Sequence, residues 1–231
     1  MARNTMSLKS LPQEPNMPPI SLILLHGLGA DGRDMQPIAH AIQQAIAARL
    51  HSAQLNMRIH CPDAPARPVS VNGGYVMPAW FDLYSLHADA RVDTQGIEQS
   101  RQRISALLAA EHAAGVAWQR IIIGGFSQGG VIAMHCALHQ PERLSGLLAL
   151  STWLPQSALP TPSPAACQTP VFIGHGEDDD IISIPAATRT RDRLTQLGYR
   201  DIQQRSYPIP HSVNMQEIDD IAAWLAQHLA A

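Results

Sequence analysis

The sequence predicts a single-domain α/β fold with a mostly parallel central sheet and helices on both faces. Three observations carry that prediction. From residue 20 onward, apolar runs alternate with amphipathic stretches about six times. The strongest runs are continuous rather than alternating, as in strands buried on both faces. No composition break or internal repeat divides the chain. The domain is read as residues 20–231. Residues 1–19, rich in Pro and without a continuous apolar segment, are read as a poorly ordered leader rather than a signal peptide.

The elements follow in order. Ile20 to Leu25 (ISLILL) is a buried strand. Met35, Ile38, Ile42, Ile46 and Leu50 recur at spacings of three and four, which marks a helix face. Residues 57–61 form a weaker strand. From Pro62 to Asp89 runs a stretch of Pro, Gly, Asn and aromatics without a sustained period, of a length usually associated with function. Ile97, Ile104, Leu107 and Leu108 outline a second helix. Residues 120–126 make a strand, 131–139 a helix ending before Pro141, and 144–151 another strand. A Pro-rich loop spans 152–170. Residues 171–176 make a strand, a helix lies near 186–197, and 201–208 form the last strand. Met215, Ile218, Ala222, Leu225 and Leu229 define the terminal helix, with Trp224 at the core face or its edge. Asn214 and Glu217 have the form of a capping box at its start.

Composition limits the function. Apolar residues are 45% of 231 and charged ones 15%, which excludes disorder over the whole chain. The net charge of −3, with no basic run, gives no electrostatic basis for nucleic-acid binding. No apolar run approaches the ~20 residues of a membrane span. Cys61, Cys136 and Cys167 form neither a disulfide framework nor a zinc spacing. A reducing compartment, the cytoplasm, is expected.

Parallel sheets place chemistry at the carboxyl ends of their strands. The run ending at 126 leads into Gly125-Phe126-Ser127-Gln128-Gly129, a G-x-S-x-G pattern between strand and helix. A serine on that sharp turn is lifted above the sheet, with a helix N-terminus aimed at it. The bland alternative is an N-capping serine in a Gly-rich turn. A serine hydroxyl needs a base. His211 stands after the last strand, where that base belongs in the order Ser, acid, His. Taken alone, one of eleven histidines at a helix start is weak evidence. The acid should follow the strand 171–176, where Glu177, Asp178, Asp179 and Asp180 are all candidates. A Ca²⁺ site there lacks the loop spacing and glycine. The first strand ends in His26-Gly27-Leu28-Gly29, a loop able to give one N–H to an oxyanion hole. The residue after the nucleophile, Gln128, gives the other.

Gly27 to Gly32 also reads G-x-G-x-x-G, the dinucleotide fingerprint of an oxidoreductase, but the acidic residue expected about 20 positions on is absent. His135 and His139 lack the Glu of H-E-x-x-H and read as surface or partly packed residues. There is no P-loop. A non-catalytic binding module is a further class, set against it by the presence of all three catalytic residue types.

Together LLHGLGADGRDM, APARPVSVNGGYVMPAWFDLY, GGFSQGG, STWLP, GHGEDDDIISIP and YPIPHSV resemble the α/β-hydrolase superfamily. More narrowly, they resemble its carboxylesterase and acyl-protein thioesterase (phospholipase/carboxylesterase) family. The resemblance covers most of residues 20–225. It implies that the family's H-G-x-x-D falls on His175, Gly176 and Asp179, making Asp179 the acid. It also supports Ser127 and His211, and Leu28 with Gln128 as oxyanion donors. Two departures stand out. Pro210 replaces the usual Gly before the histidine, which fixes φ and removes an N–H, so a slightly different approach of His211 is expected. Ser183-Ile184 lengthens the turn before Pro185.

The expected activity is hydrolysis of carboxylic esters or thioesters through an acyl-enzyme. The substrate is a small-molecule or lipid ester, or an acylated protein, and lysophospholipase or protein-depalmitoylating activity is the alternative. No metal or organic cofactor is implied. A homodimer is compatible with the sequence. Val76, Met77, Trp80, Phe81 and Trp153, on the two long loops, are candidates to line the acyl site; stapling those loops to the domain is the competing role.

Overall fold

Alternate side chains of the strands serve two different cores, and this sets the layers of the molecule. The computed structural model describes residues 18–51, 55–85, 91–155 and 159–230. The reading of residues 1–19 as a leader lies, up to residue 17, outside them. In chain order the elements are β1 (Ile20–Leu25), α1 (Gly32–Arg49), β2 (Met57–His60), β3 (Ala66–Val69), β4 (Tyr75–Pro78), α2 (Thr94–Ala113), β5 (Ile121–Phe126), α3 (Gln128–His139), β6 (Gly146–Leu150), β7 (Val171–Gly176), α4 (Pro185–Gln196), β8 (Ile202–Tyr207) and α5 (Met215–Ala230).

Six strands form one parallel sheet in the order β2-β1-β5-β6-β7-β8. Ile20, Leu22 and Leu24 of β1, Ile122 of β5 and Phe172 of β7 point to a layer made by α1 and α5. Ile23 and Leu25, Ile121 and Ile123, and Val171 and Ile173 point the other way, toward α2, α3 and α4. That is the period-two division of a strand buried on both faces. Helix α3 lies so deep that Gln128 through Leu138 are all buried, which is why its sequence shows no polar face.

The chain leaves β1 for β2 on one side and later returns to β5 on the other. The carboxyl ends of β1 and β5 therefore form the topological switch point, where a crevice opens. The pairing of Leu25 with Gly125 brings the loop at His26–Gly29 beside the turn at Ser127.

The segment read as lacking regular structure contains a hairpin instead. Antiparallel β3 and β4 pair Val69 with Tyr75 across a turn with Gly73 and Gly74 at positive φ. The Asn72-Gly73 dipeptide was the available signal; Pro68 and the shortness of both strands hid their period. The terminal helix differs in two details. Met215 is 70% exposed, so it does not join the core stripe. Asn214 Oδ1 accepts the Glu217 N–H at 2.8 Å, but the Glu217 side chain does not return to close the capping box. It is buried against β7, where a Cβ on Gly174 would lie 1.9 Å from Glu217 Oε1. His135 is buried rather than at the surface, and burial pushes its pKa down to about 4.

Candidate active site

The turn after β5 is forced by close backbone packing. Ser127 has φ 53 and ψ −120, a strained conformation for a residue with a side chain. A Cβ on Gly125 would fall 2.3 Å from the Gly129 carbonyl carbon, and one on Gly129 would fall 2.4 Å from the Leu25 oxygen. No other residue fits at either position without moving main chain. The Ser127 N–H donates to Leu150 O at 2.9 Å, and Thr152 Oγ1 donates to Ser127 O at 2.7 Å. The serine is thus locked at the N-terminus of α3, with 9% of its surface open.

Asp179 and His211 come from adjacent strand ends. After β7, Glu177 N–H donates to Tyr207 O and Asp178 N–H to Ile209 O, tying this loop to the one after β8. Asp179 Oδ1 accepts the Ile181 and Ile182 N–H groups at 3.0 and 2.8 Å. Its Oδ2 lies 2.7 Å from His211 Nδ1. A carboxylate so held fixes the imidazole tautomer with hydrogen on Nδ1 and leaves Nε2 as acceptor. His175 Nε2 donates to Ile182 O at 2.7 Å and lies 3.4 Å from Asp179 Oδ2. Burial lowers the His175 pKa, so it supports the loop as a neutral ring. The Phe126 ring, 4.6 Å from that of His211, backs the imidazole. Pro210 does not keep His211 from its carboxylate partner, and α4 begins at Pro185, directly after Ser183-Ile184.

Ser127, Gln128, Leu28 and His211 all line one cavity of about 650 Å³ at the switch point. Among the described residues, neither the Leu28 nor the Gln128 amide donates to a backbone acceptor, whereas the neighbouring Gly29 N–H goes to Pro78 O and Ala30 N–H to Gly27 O. Two free amides beside a serine hydroxyl can stabilise a developing oxyanion. The same contacts argue against a pyrophosphate cradle. The Gly32 N–H is taken by Asp63 at 2.7 Å, and a Cβ there would lie 2.0 Å from Cys61 O. The loop is filled by its own chain.

The five apolar candidates separate. Trp153 lines the cavity. Trp80 and Phe81 are fully buried outside its lining, and Val76 (58% exposed) and Met77 lie on β4, also outside it. The Trp80 indole N–H is satisfied by His26 O at 2.8 Å, so it anchors the segment beneath the site. Sequence reasoning missed the polar scaffold around it. Gln128 Oε1 accepts the Trp80 N–H and its Nε2 donates to Phe81 O, both at 2.8 Å. His26, fully buried, accepts the Ala64 N–H at Nε2, which requires the neutral ring with hydrogen on Nδ1. A polar residue directly after the nucleophile, and a histidine inside an apolar strand end, were the only signals.

Comparison with known proteins agrees with this architecture. The sequence model of the Phospholipase/Carboxylesterase family matches residues 13–229. Acyl-protein thioesterase 1 of Cryptococcus neoformans is 36% identical over 240 residues, covering 96% of this chain and 97% of that protein. Acyl-protein thioesterase 1 of Yarrowia lipolytica is 32% identical, covering 90% and 92%. The crystal structure of Zea mays acyl-protein thioesterase 2 superposes with a TM-score of 0.76 at 28% identity, over 94% of this chain and 96% of that one. A Bacillus cereus carboxylesterase, 19% identical with a TM-score of 0.71, shares the fold over 91% of this chain and 89% of its own.

Proposed function

The chain belongs to the phospholipase/carboxylesterase family of α/β-hydrolases and is a serine hydrolase of esters or thioesters; from that premise we propose that Ser127, His211 and Asp179 carry out its chemistry. His211 Nε2 takes the Ser127 proton as Oγ attacks the acyl carbonyl. The Leu28 and Gln128 N–H groups hold the resulting oxyanion. The carbonyl re-forms as the bond to sulfur or oxygen breaks, and His211 gives its proton to the leaving thiol or alcohol. Water then repeats the sequence on the acyl-enzyme, releasing the acid and restoring the serine. Asp179 holds the histidine tautomer and stabilises the imidazolium.

One observation carries this reading: Ser127 and His211 line the same cavity while His211 Nδ1 sits 2.7 Å from Asp179 Oδ2. The substrate proposed is a thioester on an acylated protein, because the relatives covering nearly all of this chain are named acyl-protein thioesterases. Trp153 is proposed as a wall of the acyl site. The cytoplasm is the proposed compartment, in keeping with three free thiols. The test is hydrolysis of p-nitrophenyl esters of increasing chain length, and of an S-acyl peptide, with Ser127→Ala alongside. Turnover lost in that variant supports the assignment; equal turnover in both proteins overturns it. A preference confined to short esters would favour small carboxylic esters over acyl-proteins.

A further inference from the structure

The two proposed oxyanion donors stand on different strand ends, Leu28 after β1 and Gln128 after β5. Their spacing decides whether both N–H groups reach one oxygen, and in a catalytic site a shift of about 1 Å is costly. The segment at the end of β4, residues 78–81, is bonded to both strand ends. On the β1 side it holds the chain on each flank of Leu28. Pro78 O accepts the Gly29 N–H at 2.9 Å, and the Trp80 indole N–H donates to His26 O at 2.8 Å. On the β5 side it is gripped by the Gln128 side chain. Oε1 accepts the Trp80 N–H and Nε2 donates to Phe81 O, both at 2.8 Å. Further bonds fix the segment itself: Ser100 Oγ donates to Trp80 O, and the Ala79 N–H donates to Pro65 O at 3.1 Å. His26, Trp80 and Gln128 are all fully buried, so each bond is made away from water. His26 O also touches the turn at Ser127, since a Cβ on Gly129 would lie 2.5 Å from it.

We infer that Trp80 and the side chain of Gln128 are positioning residues of the oxyanion hole, bracing the Leu28 and Gln128 N–H groups at one fixed separation. This rests on the serine hydrolase reading above and on its two oxyanion donors. Trp80 lies outside the cavity lining, and both polar ends of the Gln128 side chain are taken by main chain. Both therefore act through the loops they hold and not on the substrate. The oxyanion exists only in the tetrahedral intermediate and the transition states around it. A loosened brace weakens those states and leaves ground-state binding almost untouched. Its signature is a fall in kcat with little change in KM. A segment that only stapled the fold would lower stability and leave kcat intact in the molecules that remain folded.

The test uses Trp80→Phe, which keeps an aromatic ring and removes the indole N–H, and Gln128→Met, which keeps the side-chain length and the main-chain N–H. Hydrolysis of p-nitrophenyl butyrate is measured per folded site, counted by titration with a fluorophosphonate. Each variant should lower kcat by about ten- to thirtyfold, with KM within about twofold of wild type. Each should weaken binding of a trifluoromethyl ketone, whose adduct with the serine carries an oxyanion, by a similar factor. The double variant should lose less than the product of the two single factors, because both changes loosen one element. A kcat per folded site within about twofold of wild type in both variants would overturn the inference and leave the hydrolase reading standing. A lower kcat with unchanged ketone affinity would do the same. Absence of turnover in the wild type would instead remove the hydrolase reading and this inference with it. Should neither variant fold, wild-type protein labelled with ¹⁵N at its indoles carries the test. Hydrogen exchange of the Trp80 indole N–H should slow by about tenfold or more once the ketone occupies the serine; unchanged exchange would overturn the inference.

Discussion

The turn at Ser127 and the arm that carries Asp179 and His211 serve one cavity but are held in opposite ways. The turn is fixed by main-chain atoms in contact: Gly125 and Gly129 have no room for a methyl group, and the strained Ser127 backbone follows from that packing. The arm is fixed by hydrogen bonds between two loops, with Asp179 accepting two amides and facing His211. Close packing gives a position that cannot drift but tolerates no substitution. A polar arm can lose one member and keep its shape. The proposed nucleophile needs the first property; the proposed base, which must exchange protons and be reoriented by its partner, needs the second.

The largest effects should come from the chemistry itself. Ser127→Ala should lower turnover on p-nitrophenyl esters by about 10⁴- to 10⁶-fold, and Asp179→Asn by about 10⁴-fold through loss of the tautomer. Thermal denaturation of both should stay near wild type, because neither change disturbs packing. The turn should behave differently. Gly129→Ala sets a Cβ 2.4 Å from Leu25 O and should cost about 3 kcal/mol of stability with loss of activity, read by urea denaturation. A Gly129→Ala protein of normal stability and activity would break the contrast.

What could be read from the sequence follows the same division. The sheet, the turn at Ser127 and the terminal helix were legible because continuous apolar runs, paired glycines and a 3-4 spacing are written locally. The proposed acid was not: four neighbouring carboxylates are equivalent until the fold brings Asp179, among them, against His211, and the family resemblance had to choose among them. The β3–β4 hairpin escaped because strands of four residues, each with a proline, show too little period. Trp80 and Phe81 were expected beside the substrate and are fully buried outside the lining of the cavity, with their main chain hydrogen-bonded to Gln128. No sequence spacing encodes a side chain reaching back 48 residues.

A pH experiment can sharpen the contrast through Glu217, which lies under the arm. Its carboxyl is fully buried against Gly174 of β7, with neither oxygen hydrogen-bonded among the described residues. Burial, with the nearby Asp220 carboxylate, raises its pKa to about 8. In the unfolded chain it titrates near the usual ~4.3. Between those values the folded state binds the extra proton, so stability is fully present below about pH 4.3 and falls as pH rises through about 8. The loss is on the order of a few kcal/mol. Glu217→Gln should remove this slope, so that its melting temperature between pH 5 and 8.5 is flatter than wild type. A slope unchanged in the variant would mean that the carboxyl finds a hydrogen-bonding partner on folding.

The smallest effect should come from the one side-chain hydrogen bond at the turn's carbonyl. Thr152 Oγ1 donates to Ser127 O at 2.7 Å, and the same side chain fills the space that a Cβ on Gly130 would need, 2.7 Å away. Thr152→Val keeps that volume and removes only the donor. The Ser127 oxygen still accepts the Gly130 N–H at 3.0 Å, so it is not left wholly unsatisfied. The stability loss should therefore be about 1 kcal/mol, and kcat on a p-nitrophenyl ester should change by less than about threefold. If packing alone holds the strained serine, these two numbers stay small together. A tenfold or larger fall in kcat at that modest cost in stability would mean that the hydrogen bond, and not the glycine contacts, sets the angle at which the hydroxyl meets His211.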